Sequence, residues 1–289
     1  MTTRNLLKKM LAHEQFNFLI TNRIPRLLLT QLIGRISKIR TPWFVKLSLS
    51  IWRYFGDLKL EESPQIQFDS IHDCFVRPIK PELRPIDRAP NCWCSPCDGM
   101  LGEFGIVESG MLYQAKGFPY CMNELMGPED SQAWEGGIYV TIRITANMYH
   151  RFHAPADGRL TRLRYFSGDT WNVNPIALKR VEKLFCRNER VWMKFEVDQS
   201  DHALAMVAVA AVLVASVRLH DLDLLYHLNF KGPDAQECNV SYWKGKEMGW
   251  FEHGSTIILF APPGSKLVSG LSVGSELKVG QALLIKPQQ

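Results

Sequence analysis

The bond between Gly254 and Ser255 is the first place in this chain where residue types suggest chemistry. A serine hydroxyl there stands beside a glycine carbonyl that no side chain shields, so an activated Ser255 could attack the backbone at Gly254 and cut the chain. The same residues, followed by Thr256 and the apolar Ile257-Ile258-Leu259-Phe260, equally describe a turn entering a strand. His150 and His153, in Tyr149-His150-Arg151-Phe152-His153, offer a metal-binding pair or a base beside a substrate-binding group. They lack the glutamate that a zinc hydrolase motif carries. Cys92, Cys94 and Cys97 stand one ligand short of a structural zinc site, and no second cysteine pair follows. Asp98-Gly99 is by itself a turn pair. Aspartate, histidine and serine are also the parts of a nucleophile-base-orienter triad, which can be assembled in any chain order.

The elements that must position these residues divide into two textures. The chain has 289 residues and a net charge of +5, enough for one large domain or two unequal ones. Residues 1–60 carry eleven Lys or Arg against only Glu14 and Asp57, so the basic end calls for an anionic partner. Between Asn22 and Arg40, Ile24, Leu27, Leu28, Leu32, Ile33 and Ile36 recur at helical spacing, with Arg23, Arg26, Arg35 and Lys38 mostly between them. A second helix is expected from a Thr41 cap and Pro42 to a stop at Gly56. Its Trp43, Phe44, Trp52 and Phe55 suit a bilayer interface, whereas no recognisable nucleic-acid module accompanies the charge. Packing of both helices on the body, with only their charges exposed, is the alternative.

Pro64, Pro78, Pro81, Pro85 and Pro90 make residues 61–90 a connecting segment wrapped on the surface, with a boundary near residue 60. Beyond it, runs such as 138–144 and 191–197 read as strands bounded by turn residues. The apolar run 203–217 is too short to span a bilayer as a helix and suits a buried strand or strand pair. The expected fold class is α+β: a mainly β body with short helices, preceded by basic amphipathic helices. Seven cysteines at irregular spacing suit a reducing cytoplasm, and no secretory signal is expected.

Several short motifs recur here in a specific order: Phe75-Val76-Arg77-Pro78, Arg84-Pro85-Ile86-Asp87, Pro96-Cys97-Asp98-Gly99, Gln114-Ala115-Lys116-Gly117, the 149–153 run, Gly168-Asp169, Val173-Asn174, Arg187-Asn188-Glu189-Arg190-Val191, Lys244-Gly245, Glu247-Met248-Gly249 and Gly254-Ser255-Thr256. Together they resemble the bacterial phosphatidylserine decarboxylases, pyruvoyl-dependent enzymes of phosphatidylethanolamine synthesis. The resemblance implies Asp98 as triad aspartate, His153 as base, Ser255 as cofactor precursor and His150 as a substrate-handling residue or proton donor. Cleavage at Gly254-Ser255 would give a β chain of residues 1–254 and an α chain of residues 255–289 headed by a pyruvoyl group. That group would form a Schiff base with the phosphatidylserine amine and take up the electron pair left by carbon dioxide.

The implied catalytic domain is 61–289, with 1–60 as membrane-associating helices on the cytoplasmic side of the cell membrane. The implied partners are phosphatidylserine in anionic membranes and a second copy of the chain. His253 stands where many relatives have Leu or Gly, and Cys97 where many have Ala; neither is expected to have a special role. A zinc-dependent hydrolase using His150, His153 and a cysteine, and a non-enzymatic peripheral membrane-binding protein, are the competing readings.

Overall fold

Ile257-Ile258-Leu259-Phe260 is apolar without alternation because the strand it belongs to is buried on both faces. The computed structural model describes residues 13–23, 25–56, 58–115, 117–212, 216–252 and 255–287. The strands around this segment are β1 (Gly99–Ile106), β2 (Ile138–Ile144), β3 (Arg151–His153), β4 (Gly158–Phe166), β5 (Arg190–Val197), β6 (Ala203–Ala210), β7 (Ser216–Leu219), β8 (Leu224–His227), β9 (Ala235–Tyr242), β10 (Glu247–Phe251), β11 (Ser255–Ala261) and β12 (Glu276–Leu277). Eight form one antiparallel sheet in the order β9-β4-β5-β6-β11-β2-β1-β12, and four form a second in the order β8-β7-β10-β3.

Side chains alternate across a strand, so β11 feeds two cores. Ile257 and Leu259 pack in one with Phe152, Met248 and Phe251 of the smaller sheet. Ile258 and Phe260 pack in the other with Trp134, Leu184 and Phe185 from short helices. Burying each of these large side chains is worth on the order of 1.5–3 kcal/mol, which holds the segment that begins at Ser255 firmly in place. Between Phe251 at the end of β10 and Ser255 at the start of β11 the chain crosses from the small sheet to the large one. The expected cleavage residue Gly254 and its neighbour His253 lie in this crossing and outside the described residues.

The architecture is the expected α+β one, and the apolar run 203–217 contributes strand β6 and the start of β7. Residues 61–90 do more than wrap the surface. They contain a short helix, Ile71–Phe75, whose Cys74 and Phe75 are buried, and they bury Arg77 and Arg84 against the body.

The N-terminal helices are α1 (Glu14–Asn22), α2 (Arg26–Ile36) and α3 (Pro42–Phe55), with the Ile71–Phe75 helix as α4. Pro42 and Gly56 bound α3 as their chemistry requires, although the Thr41 hydroxyl makes no capping hydrogen bond. Polar groups of α2 reach the body, while α3 packs Val45 and Trp52 inward. Arg26 forms a fork with Asp169 (Nε–Oδ1 3.1 Å, Nη2–Oδ2 2.6 Å) and lies over the Trp171 ring. Thr30 is buried beside Thr170. Other large apolar side chains of α2 and α3 turn outward: Leu28 is 66% exposed, Trp43 69% and Leu47 53%. Among the described residues no helix is long and apolar enough to cross a membrane.

Candidate active site

Ser255 is the first residue of β11, and its backbone pairs with Ile144 of β2 on one side and Ala210 of β6 on the other. Alternation puts its side chain on the face of Ile257, toward the small sheet. It is fully buried, and among the described residues its Oγ has no hydrogen-bond partner. Burial of an unsatisfied hydroxyl costs about 1–3 kcal/mol, so the fold retains this group against its own stability.

His153 ends β3, on the small sheet that faces Ser255. Its N–H donates to the Pro96 carbonyl at 2.7 Å, which ties β3 to the segment carrying Asp98. The ring lies between Gly245 and Tyr149: Nδ1 is 2.9 Å from the Gly245 carbonyl oxygen and Nε2 is 3.0 Å from Tyr149 Oη. A carbonyl only accepts, so Nδ1 carries the proton and Nε2 presents a lone pair that accepts from Tyr149. Burial lowers the His153 pKa below the ordinary 6.5, outweighing the Gly245 hydrogen bond and the Glu247 and Asp98 charges, which raise it. The ring is therefore neutral at neutral pH, as a general base must be. Burial raises the Tyr149 pKa, so its hydroxyl keeps its proton.

Gly245 can offer that carbonyl because it sits in a turn at φ +87°, where any Cβ would meet Ile86 at 2.6 Å. Both ring nitrogens of His153 are engaged by protein groups, as in a positioned base rather than a metal ligand. Glu247, paired with His153 across β10 and β3, accepts from Arg151 at 2.9 Å and contacts His220 Nε2 at 2.7 Å.

Asp98 is buried and held by Arg84, whose Nε lies 2.8 Å from Oδ1, and its Oδ1 also accepts from the Val279 N–H at 2.9 Å. Arg84 reaches on to Glu62 at 2.8 Å. Among the described residues no hydrogen bond joins Asp98, His153 and Ser255 to one another, and Asp98 acts on His153 through its charge. A cleft of about 180 Å³ opens at Asp98, lined also by Arg84, Thr145, Asn147, Met148 and the His153 partner Tyr149. His150 is fully buried, donates Nδ1–H to the Met148 carbonyl at 2.9 Å, and packs its ring 3.8 Å from that of Phe75. Its own carbonyl accepts from the Phe251 N–H at 2.9 Å, at the start of the crossing to Ser255.

Cys92, Cys94 and Cys97 are buried in the packing, and burial raises the Cys97 thiol well above its ordinary pKa. Tyr149, Gly245 and Arg84 carry no role expected from residue type, although all three fall inside the short motifs. A backbone carbonyl has no side chain to announce it.

A family model described as phosphatidylserine decarboxylase matches residues 71–285. The chain is 32% identical to the phosphatidylserine decarboxylase proenzyme of Idiomarina loihiensis over 90% of its own length and 92% of the relative's. It is 33% identical to that of Pseudomonas fluorescens, covering 90% and 94%, and 35% identical to that of an Anaeromyxobacter species, covering 90% and 94%.

Proposed function

The chain belongs to the phosphatidylserine decarboxylase family and is a carboxy-lyase, and from that premise we propose that it matures by cutting itself between Gly254 and Ser255. The observation that carries this reading is Ser255 Oγ: fully buried, without a partner among the described residues, and facing the small sheet whose strand β3 carries His153. A side chain whose oxygen is to be consumed fits such a place.

His153 takes the Ser255 proton at Nε2, the lone-pair nitrogen that the Gly245 hydrogen bond defines, once Tyr149 gives up its hydrogen bond there. The freed oxygen attacks the Gly254 carbonyl, and the peptide becomes an ester. Loss of the serine oxygen then leaves a carboxylate on Gly254, and hydrolysis with release of ammonia leaves a keto group at residue 255. Asp98 favours the protonated imidazole through its charge. A pyruvoyl group at this position supplies a carbonyl that accepts the electron pair released as carbon dioxide leaves. The β11 backbone, paired on both sides, keeps the new chain end in place, and His150 or His153 returns a proton to the substrate.

Substrate reaches the site from the membrane surface. The outward apolar faces of α2 and α3 seat the protein peripherally on anionic lipid at the cytoplasmic face. Neither the zinc-hydrolase nor the non-enzymatic reading gains support from the family or from the His153 contacts. Intact mass is the test: the parent chain appears as two fragments divided after Gly254, the smaller with a carbonyl-reactive end, and Ser255→Ala appears as one chain without decarboxylase activity. An uncut, active parent chain would overturn the proposal.

A further inference from the structure

Glu252 is the last described residue before the crossing that holds the scissile bond, and it is only 6% exposed. A carboxylate that buried needs a cation. Its Oε2 lies 3.2 Å from Lys38 Nζ, and its Oε1 lies 3.8 Å from His72 Nε2. Lys38 follows the C-terminus of α2, and His72 belongs to α4; the His72 N–H donates to the Ser37 carbonyl at 2.9 Å and locks these two segments together. Main-chain bonds hold the same stretch: Phe251 N–H donates to the His150 carbonyl, and Glu252 N–H donates to the Ser216 carbonyl at 3.2 Å.

Downstream, the β11 register begins at Ser255. The side-chain clamp thus sits three residues before the nucleophile. Attack on a neighbouring carbonyl is sensitive to placement, because a misplacement of about 1 Å can cost on the order of 100-fold in rate. We infer that Glu252 is a positioning residue for self-cleavage, and that its ion pair with Lys38, on a segment tied to α4 by the His72 N–H, fixes the chain entering the scissile bond. This rests on the proposed cleavage between Gly254 and Ser255. Because Lys38 belongs to the N-terminal helical segment, maturation then requires that segment to be docked on the body.

The test follows conversion of full-length precursor to its two fragments during cell-free synthesis, on denaturing gels and by intact mass. Glu252→Gln and Lys38→Met each slow conversion by roughly 10- to 100-fold. Lys38 is half exposed, so its replacement leaves a folded chain. The exchange Lys38→Glu with Glu252→Lys restores most of the rate, and decarboxylation per mature chain matches the parent in all three variants. Single variants that mature at the parent rate, or an exchange that restores nothing, would overturn the clamp while leaving self-cleavage intact. A parent chain that is not cut after Gly254 would overturn the cleavage reading itself.

Discussion

Tyr149 donates its hydroxyl to His153 Nε2 at 3.0 Å, on the nitrogen that collects the Ser255 proton in the proposed self-cleavage. A donor on a lone pair favours the neutral ring, so this contact adds to the burial that already lowers the His153 pKa. Maturation by the proposed route needs the neutral form. Its rate therefore falls on acidification only once the pH drops through the folded pKa, below the ordinary 6.5. Tyr149→Phe removes the donor and moves this acid limb to higher pH. We expect conversion within about tenfold of the parent at pH 8, since one neutral hydrogen bond is worth about 0.5–1.5 kcal/mol, and a wider gap at pH 6. Precursor conversion measured across pH decides it: a limb that does not move assigns Tyr149 no part in setting His153.

Asp98 and Arg84 form a buried ion pair, so replacing Asp98 leaves the buried Arg84 with Glu62 as its sole carboxylate among the described residues. Asp98→Asn is expected to destabilise the precursor by about 3–5 kcal/mol and to stop cleavage. Stability and chemistry are separated by Asp98→Asn with Arg84→Met, which removes both charges. Urea unfolding should show most of the stability recovered, while cleavage stays lost because His153 no longer feels the aspartate. Recovery of cleavage together with stability would reduce Asp98 to a structural role.

Glu189 holds its proton at neutral pH. Its fully buried neighbourhood raises its pKa to about 8 against the pull of Tyr165. Tyr165 Oη lies 2.9 Å from Glu189 Oε1 and 3.0 Å from the His227 carbonyl, which only accepts; the single phenolic proton serves the carbonyl when Glu189 supplies its own. Between pH 4.5 and about 8 the folded chain retains this proton and the unfolded chain has lost it, so the group's contribution to stability declines as pH rises through that window. Glu189→Gln keeps a donor and an acceptor but does not titrate. Relative to the parent it should gain up to about 1.4 kcal/mol per pH unit across the window, read by urea unfolding at pH 5.5 and pH 8. A constant difference would show Glu189 to be ionised in the fold.

Helix α3 is legible in the sequence because Pro42 and Gly56 mark its ends with local chemistry, and β11 because four consecutive apolar residues need burial on both faces. Ser255, His153 and Asp98 are legible only as types at matching positions of a known family. The direct aspartate-histidine contact implied by a triad is not among their hydrogen bonds, since Arg84 takes the Asp98 carboxylate and the Gly245 carbonyl takes the His153 proton. Both partners come from tertiary approach, one from a proline-rich segment that reads as surface, the other from a main-chain atom. Glu252 was similarly silent, because its partners are 214 and 180 positions away in the chain.

Helices α2 and α3 leave several large apolar residues in solvent, where a surface helix usually turns them inward. Leu28, Trp43 and Leu47 are each more than half exposed, while Arg26 and Lys38 are spent on Asp169 and Glu252. Those two cations are thus already committed to the body, so in the proposed membrane contact apolar insertion supplies much of the affinity. Leu28→Ser with Trp43→Ser and Leu47→Ser removes that surface and touches none of the docking pairs. Loss of roughly 1.5–3 kcal/mol per large side chain in transfer free energy predicts a fall of at least 100-fold in partitioning to anionic vesicles, measured by flotation. Maturation should continue, and activity on detergent-dispersed phosphatidylserine should stay near that of the parent while activity on vesicles collapses. Unchanged flotation would move the membrane contact elsewhere on the chain.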